Sequence, residues 1–291
     1  MTKIKKLEVS NLNKIISKKH ILKNVEFYCN IGEISGFIGP NGSGKSSLFK
    51  VLSGLWEYNS GSITFDNFNL IDNKNLIMDN IGSFIETPSL YYDLSARQNF
   101  EVILKTHNIE NLDWYNFLIT KFKIDDYINM KIKKYSLGMK QKVGIVLSLL
   151  SNPNIIILDE PTNSLDVTAV RTLHDILLSI KKDKLILISS HILEELDSLS
   201  DKIYLINNGR ITSSSSKSLN DQYIVTLNYA IKDELKFSSV RLLQIIDDKT
   251  IKIECVDLDE FFKECIKLNI SINKIKNQSN IKRFFSESIG D

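Results

Sequence analysis

Gly39-Pro40-Asn41-Gly42-Ser43-Gly44-Lys45-Ser46-Ser47 is the stretch on which the fold turns, and it fits the pattern G-x-x-x-x-G-K-[ST]. An apolar run from Glu33 to Ile38 leads into it. Leu48, Val51, Leu52 and Leu55 follow at helical spacing, with Gly54 near the helix end. The order strand, glycine loop, helix lets backbone N–H groups turn inward as an anion nest, and the helix N-terminus adds a fixed positive field. In such a loop Lys45 reaches the β- and γ-phosphates and the Ser46 hydroxyl ligates Mg²⁺. A glycine turn that binds nothing is the bland alternative, and the flanking elements argue against it.

Working outward, Leu7 to Cys29 reads as short strands of an antiparallel sheet, clearest at Val25-Glu26-Phe27-Tyr28-Cys29. Between about Leu90 and Leu150 the pattern is helical: Ala96 to Lys105, Leu112 to Phe122, and a helix after Ser136 with Met139, Val143, Val146, Leu147 and Leu150 on one face. Ile155-Ile156-Ile157-Leu158 and Leu185-Ile186-Leu187-Ile188 are short continuous apolar runs. A helix carrying Val170, Leu173, Leu177 and Ile180 separates them, as in a parallel sheet covered on both faces. The first of these runs ends in Asp159-Glu160. Alternate pointing along a strand lets the two carboxylates play different parts, Asp159 holding Mg²⁺ or its water and Glu160 polarising an attacking water. A carboxylate pair that merely caps the segment after Pro161 is the structural alternative.

A third element, Tyr135-Ser136-Leu137-Gly138-Met139-Lys140-Gln141, lies between the glycine loop and the carboxylates. With it the chain resembles the ATP-binding cassette (ABC) family, whose signature motif these residues match. Ser136 is a good N-cap, and a second helix N-terminus aimed at an anion is a second phosphate site. The resemblance implies that Ser136, Leu137, Gly138, Met139, Lys140 and Gln141 serve the nucleotide of a partner cassette, so that ATP acts as glue between two copies. It implies further that Asn163-Ser164-Leu165-Asp166 forms the loop that crosses the dimer seam, through Ser164, Leu165 and Asp166, and helps place the attacking water. His191, ending the run from Leu185, would contact the γ-phosphate and orient Glu160. Whether Glu160 or His191 dominates the chemistry stays open. His20, His107 and His174 read as ordinary core or surface residues.

Two departures from the family pattern stand out. The loop expected to carry Gln beside Mg²⁺ reads Ile85-Glu86-Thr87-Pro88, which makes Glu86 a candidate metal ligand with Ser46 and Asp159. This Glu, with the Tyr-Ser-Leu-Gly-Met-Lys-Gln signature, resembles the branch that exports bacitracin or lantibiotics. The aromatic residue on which the family stacks adenine corresponds to Ile16, so loose base selectivity is expected, with GTP supporting turnover. Leu137 replaces the first glycine of the signature, which makes a positive φ there improbable.

The fold class expected is α/β: a P-loop NTPase of ABC type with an antiparallel β subdomain and a helical subdomain, plus a small C-terminal α/β region. Its cofactors are ATP and Mg²⁺. The cassette is placed at residues 1–212, a Ser-rich linker at 213–221 and an accessory domain at 222–291. In that last part the strands Tyr223 to Leu227, Thr250 to Val256 and Ile270 to Ile275 flank a helix with Leu258, Phe261, Phe262, Cys265 and Ile266 inward. Of the 291 residues, 43% are hydrophobic and 25% charged, an ordinary globular composition. Thirty-seven Lys+Arg against 35 Asp+Glu leave a formal charge of +2, which gives no bulk attraction to nucleic acid, and none is expected as a partner. No run approaches the roughly 18 apolar residues of a membrane span, and the N-terminus has no signal-peptide h-region. A separate permease is therefore expected, with the chain on the cytoplasmic side of the membrane. Cys29, Cys255 and Cys265 lack the spacing of a zinc site or disulfide framework and read as buried thiols. Two rival readings keep the site and change its use, one a soluble ABC ATPase acting on ribosomes or DNA, the other a nucleotide switch without turnover. An importer subunit is a third. The lysines at 131, 133, 134, 140 and 142 read as a solvated face.

Overall fold

The computed structural model describes residues 4–216, 221–230, 237–255 and 257–277. It divides into two compact units, 1–214 and 215–291.

In the first unit, β1 (Lys6–Ile16) and β2 (Lys19–Asn30) pair antiparallel, and β4 (Ser60–Phe65) and β5 (Phe68–Asn69) extend the sheet in the order β2-β1-β4-β5. One face of these strands is apolar and sealed, with Leu7, Val9, Leu12, Leu22, Val25, Phe27 and Cys29 buried. The alternation follows from the two-residue side-chain period of a strand. The expected short strands are thus two long ones, bent by register shifts after Val9 and Leu12.

A second sheet holds β3 (Ile34–Ile38), β6 (Ile81–Phe84), β7 (Ile155–Asp159), β8 (Leu185–Ser190), β9 (Lys202–Asn207) and β10 (Arg210–Ser216), in the order β10-β9-β3-β8-β7-β6. The β9-β3-β8-β7-β6 pairings are parallel. Every residue of β3, β7 and β8 is buried, as the continuous apolar runs required. Helices α1 (Lys45–Leu52), α2 (Lys74–Met78), α6 (Val167–Ile180) and α7 (Leu193–Leu199) accompany these strands in sequence. Helix α1 stops at Leu52, and Leu55, expected on its apolar face, is exposed.

The helical subdomain consists of α3 (Ala96–Thr106), α4 (Asp113–Phe122) and α5 (Leu137–Leu150). Phe100, Leu118, Phe122, Val143, Val146 and Leu150 are buried there. Ser95 and Gln98 form a reciprocal capping box at the start of α3. The Trp114 indole donates to the Leu149 carbonyl at 2.8 Å, tying α4 to the end of α5.

The serine-rich stretch expected as a linker is strand through Ser216, while 217–220 lie outside the described residues. In the second unit β11 (Asp221–Leu227), β12 (Val240–Ile245), β13 (Thr250–Cys255) and β14 (Ile272–Asn277) form an antiparallel sheet in the order β12-β13-β11-β14, with helix α8 (Leu258–Lys267). Strand β12 was not expected from the sequence, and Val256 lies outside the described residues. Phe261 and Cys265 of α8 are buried, but Phe262 and Ile266, also expected inward, are exposed. A one-sided sheet gives a ten-residue helix only a narrow apolar seam to fill. Cys29, Cys255 and Cys265 are all buried.

Candidate active site

Strands β3, β7 and β8 are neighbours, so parallel alignment brings their C-terminal ends to one edge. That edge collects the glycine loop after β3, Asp159 and Glu160 at the end of β7, and His191 after β8. Ligands of open α/β sheets bind at such carboxyl ends.

The loop has the backbone an anion cradle needs. Gly42 takes φ 78° and Gly44 φ 114°, where side chains are strained, and a Cβ on Gly42 would meet no atom within 4 Å. Lys45 is only 4% exposed, and its ammonium donates to the Gly39 carbonyl at 2.7 Å and the Pro40 carbonyl at 3.3 Å. The Ser43 hydroxyl is buried beside the loop with no hydrogen-bond partner. A buried cation, an unpartnered hydroxyl and the open space at Gly42 suit a polyphosphate.

Glu160 is the hub of the opposite wall. Its Oε1 lies 3.3 Å from Lys45 Nζ, and its Oε2 accepts from Asn163 Nδ2 at 2.7 Å and meets His191 Nδ1 at 3.1 Å. Burial pushes the Glu160 carboxyl up, but Asn163, Lys45 and His191 outweigh it and hold it below the usual carboxylate range. Its φ of 45° is left-handed, a conformation that a non-glycine residue holds only under constraint from its surroundings. Neighbouring Asp159 is 2% exposed. Burial raises its pKa against the Ser189 and Ser46 hydroxyls that hydrogen-bond to it. Ser189 Oγ donates to Asp159 Oδ1 at 2.6 Å and accepts from the Glu160 N–H at 2.9 Å, so one hydroxyl holds the Asp159 carboxylate and the Glu160 backbone.

The signature residues are tied to the segment after Glu160. Ser136 caps α5, its oxygen accepting from Met139 N at 3.3 Å, and both Ser136 and Leu137 are exposed. Leu137 opens the helix and is not among the residues of positive φ, as its Cβ required. A Cβ on Gly138 would lie 2.7 Å from the Ser164 carbonyl, Gln141 Nε2 donates to the Pro161 carbonyl at 3.1 Å, and Lys142 pairs with Asp166 at 2.8 Å. Asp166 in turn caps α6 by accepting from Ala169 N at 2.8 Å. Ser164, with φ 68°, makes the close approach to Gly138.

Glu86 pairs with Lys50 of α1 at 2.6 Å, and that ammonium also sits 4.6 Å over the Trp56 ring. Of the lysine cluster, Lys133 pairs with Asp93, Lys140 lies over Tyr92 and Lys142 holds Asp166, so these three have local partners. Ser189 and Lys50 were not singled out in the sequence, and Asn163 was read there only as the start of the seam loop. The one available signal was Ser189-Ser190 interrupting the apolar run before His191.

A family model described as "ABC transporter" matches residues 22–163, from within β2 through the glycine loop and the carboxylates. The lantibiotic transport ATP-binding protein SrtF of Streptococcus pyogenes is 39% identical over 206 residues, covering 70% of this chain and 88% of that protein. The chain belongs to the ABC transporter ATP-binding proteins. Its relatives include the bacitracin transport ATP-binding protein BcrA of Bacillus licheniformis, 33% identical over 70% of this chain and 68% of that one. A solved ATP-binding subunit of an ABC transporter superposes with TM-score 0.68 at 29% identity, over 72% of this chain and 89% of the other. The two-sheet architecture and helical subdomain are accordingly those of an ABC ATPase. This ABC protein binds and hydrolyses ATP. Cassettes of the family dimerise and pair with membrane permeases. Among the described residues no helix is long and apolar enough to cross a membrane.

Proposed function

We propose that this chain powers a peptide exporter, hydrolysing ATP as one of two identical cassettes beneath a separate permease on the cytoplasmic side of the cell membrane. The cargo is an antimicrobial peptide of the lantibiotic or bacitracin type. The observation that carries this reading is the 39% identity to a lantibiotic transport ATP-binding protein across 88% of that protein's length. Glu86, in place of the family's Gln, supports the same branch.

In this reading Gly39 to Ser47 wrap the phosphates, and Lys45 leaves the Gly39 and Pro40 carbonyls for phosphate oxygens. Glu160 orients the attacking water, Asn163 and His191 holding its carboxylate in place. His191 also faces the γ-phosphate. Ser136, Gly138 and their neighbours act across the seam on the partner's nucleotide, which the exposure of Ser136 and Leu137 permits. Ser46 and Asp159 offer the hard oxygen donors that Mg²⁺ takes, and among the described residues no group of three or more His, Cys, Asp or Glu forms a site of its own. That fits a cation completed by phosphate and water oxygens. When bound, the metal would neutralise phosphate charge; Ser46 and Asp159 would hold it, and Glu86 is a further candidate ligand once freed from Lys50. Ile16, exposed at the end of β1, offers no ring for adenine, so GTP is an acceptable substrate.

ATP binding closes the pair and hydrolysis opens it, and the permease follows the difference in affinity between the two states. The test is protection of cells carrying this chain and its permease against a lantibiotic and against bacitracin. Protection that disappears with Lys45→Ala supports the reading. No protection against either peptide, from a chain that still hydrolyses ATP, refutes peptide export.

A further inference from the structure

His191 sits on a connection of two residues, between the end of β8 at Ser190 and the start of α7 at Leu193. Its side chain is 44% exposed and touches Glu160. An imidazole so placed is only as well aimed as its backbone, and the backbone here is held from behind. The Ile192 N–H donates to Ser190 Oγ at 3.0 Å, and the same hydroxyl donates to Glu195 Oε2 at 2.6 Å. Donor and acceptor therefore run in one direction, from Ile192 through Ser190 to the carboxylate, and bracket His191 on both sides. The Glu195 side chain is only 9% exposed, and its Oε1 lies 3.7 Å from His174 Nε2 of α6. Burial pushes the Glu195 carboxyl up, but His174, Ser190 and the Thr162 hydroxyl outweigh it and keep it ionised. Thr162 belongs to the segment that follows Glu160. A single buried carboxylate thus faces the turn carrying His191, the segment leaving Glu160, and α6.

We propose that Glu195 is a positioning residue for ATP hydrolysis, setting His191 through the Ser190 hydroxyl and holding that turn in register with the segment after Glu160. It rests on the reading above, in which His191 acts on the γ-phosphate. Glu195 touches no reacting group itself. Without its acceptor, Ser190 Oγ turns away, the Ile192 N–H loses its partner, and the imidazole is free to shift. A displacement of about 1 Å at a reacting group costs on the order of a hundredfold in rate.

The experiment compares steady-state ATP hydrolysis by the full chain for wild type, Glu195→Ala, Glu195→Gln, Ser190→Ala, His191→Ala, and Glu195→Ala combined with His191→Ala, with melting temperature recorded for each. Glu195→Ala and Ser190→Ala are expected to lower kcat by about ten- to a hundredfold with KM for ATP little changed. Glu195→Gln keeps an oxygen that accepts from Ser190 and should recover most of the loss. In the His191→Ala background Glu195→Ala should cost nothing further. Ser190→Ala breaks the same chain with the carboxylate in place, and so keeps the test open if Glu195→Ala is unstable. A raised KM at unchanged kcat, an equal loss in the His191→Ala background, or wild-type turnover of Ser190→Ala overturns the proposal. Wild-type turnover of His191→Ala would instead overturn the role given to His191, a different failure.

Discussion

Glu160→Gln removes one charge from the most crowded part of the site and has consequences of opposite sign with and without nucleotide. The carboxylate faces Lys45 at 3.3 Å, Asn163 at 2.7 Å and His191 at 3.1 Å. Its side chain is 20% exposed and that of Lys45 4%, so the pair is partly screened yet the cation has little water to fall back on. The amide keeps the shape and an acceptor for Asn163 but leaves the Lys45 ammonium with only the Gly39 and Pro40 carbonyls. Hydrogen bonds to charged groups contribute roughly 1.5–3 kcal/mol, and partial exposure puts this case at the low end, about 1.5–2 kcal/mol. At about 2–4 °C per kcal/mol for a unit of this size, the nucleotide-free variant should melt roughly 3–8 °C below wild type. With Mg²⁺ and ATP the order reverses. Uncleaved ATP at about a hundred times its Kd stabilises by about 2.7 kcal/mol, and the variant should run as a dimer while hydrolysing on the order of a hundred- to a thousandfold more slowly. Differential scanning fluorimetry, light scattering and phosphate release measure the three quantities. Turnover within a factor of about ten of wild type would refute Glu160 as the group that orients water. A monomer in the presence of Mg²⁺ and ATP would refute the two-cassette scheme, and an unchanged melting temperature without nucleotide would refute the weight given to the Lys45 pair.

Other outcomes follow from particular contacts. Gly138→Ala places a methyl 2.7 Å from the Ser164 carbonyl, so nucleotide binding by the isolated chain should survive while hydrolysis falls at least about tenfold; unchanged hydrolysis would show that the approach to Ser164 is dispensable. Glu86→Gln breaks the 2.6 Å pair with Lys50 and should change both the Mg²⁺ concentration giving half-maximal hydrolysis and the emission of Trp56, over which Lys50 sits; neither changing would remove Glu86 from the metal's surroundings. In the second unit the Glu264 carboxylate accepts from the hydroxyls and backbone N–H groups of Ser238 and Ser239, with Ser239 Oγ the closest partner, which lowers its pKa to about 2. A carboxyl depressed in the folded state adds stability above its ordinary pKa of 4.5, and that contribution fades as pH falls toward 2. Carboxyl NMR of the full chain should place the Glu264 midpoint near 2, and a midpoint near 4.5 would contradict the capping of residues 238 and 239.

The class of fold and the ATPase family were legible in the amino-acid order. The glycine loop, the paired carboxylates and the signature are local patterns, and each needs only a strand end or helix start within a few residues of itself. Continuous apolar runs such as Ile155 to Leu158 likewise mark buried parallel strands without knowledge of their neighbours. Which groups meet was settled by packing. Ser189 and Glu195 are inconspicuous in the chain, and their importance comes from packing: Ser189 reaches Glu160 and Asp159, 29 and 30 residues earlier, and Glu195 meets His174 of the preceding helix as well as nearby Ser190. Glu86 shows the same limit from the other side, since its loop and residue type suggested a metal ligand, yet Lys50 is the partner that packing supplies. Half-buried surfaces were the least legible. Leu55, Phe262 and Ile266 carry the right period but are exposed among the described residues, and periodicity reports which side chains share a face, not whether anything packs against that face.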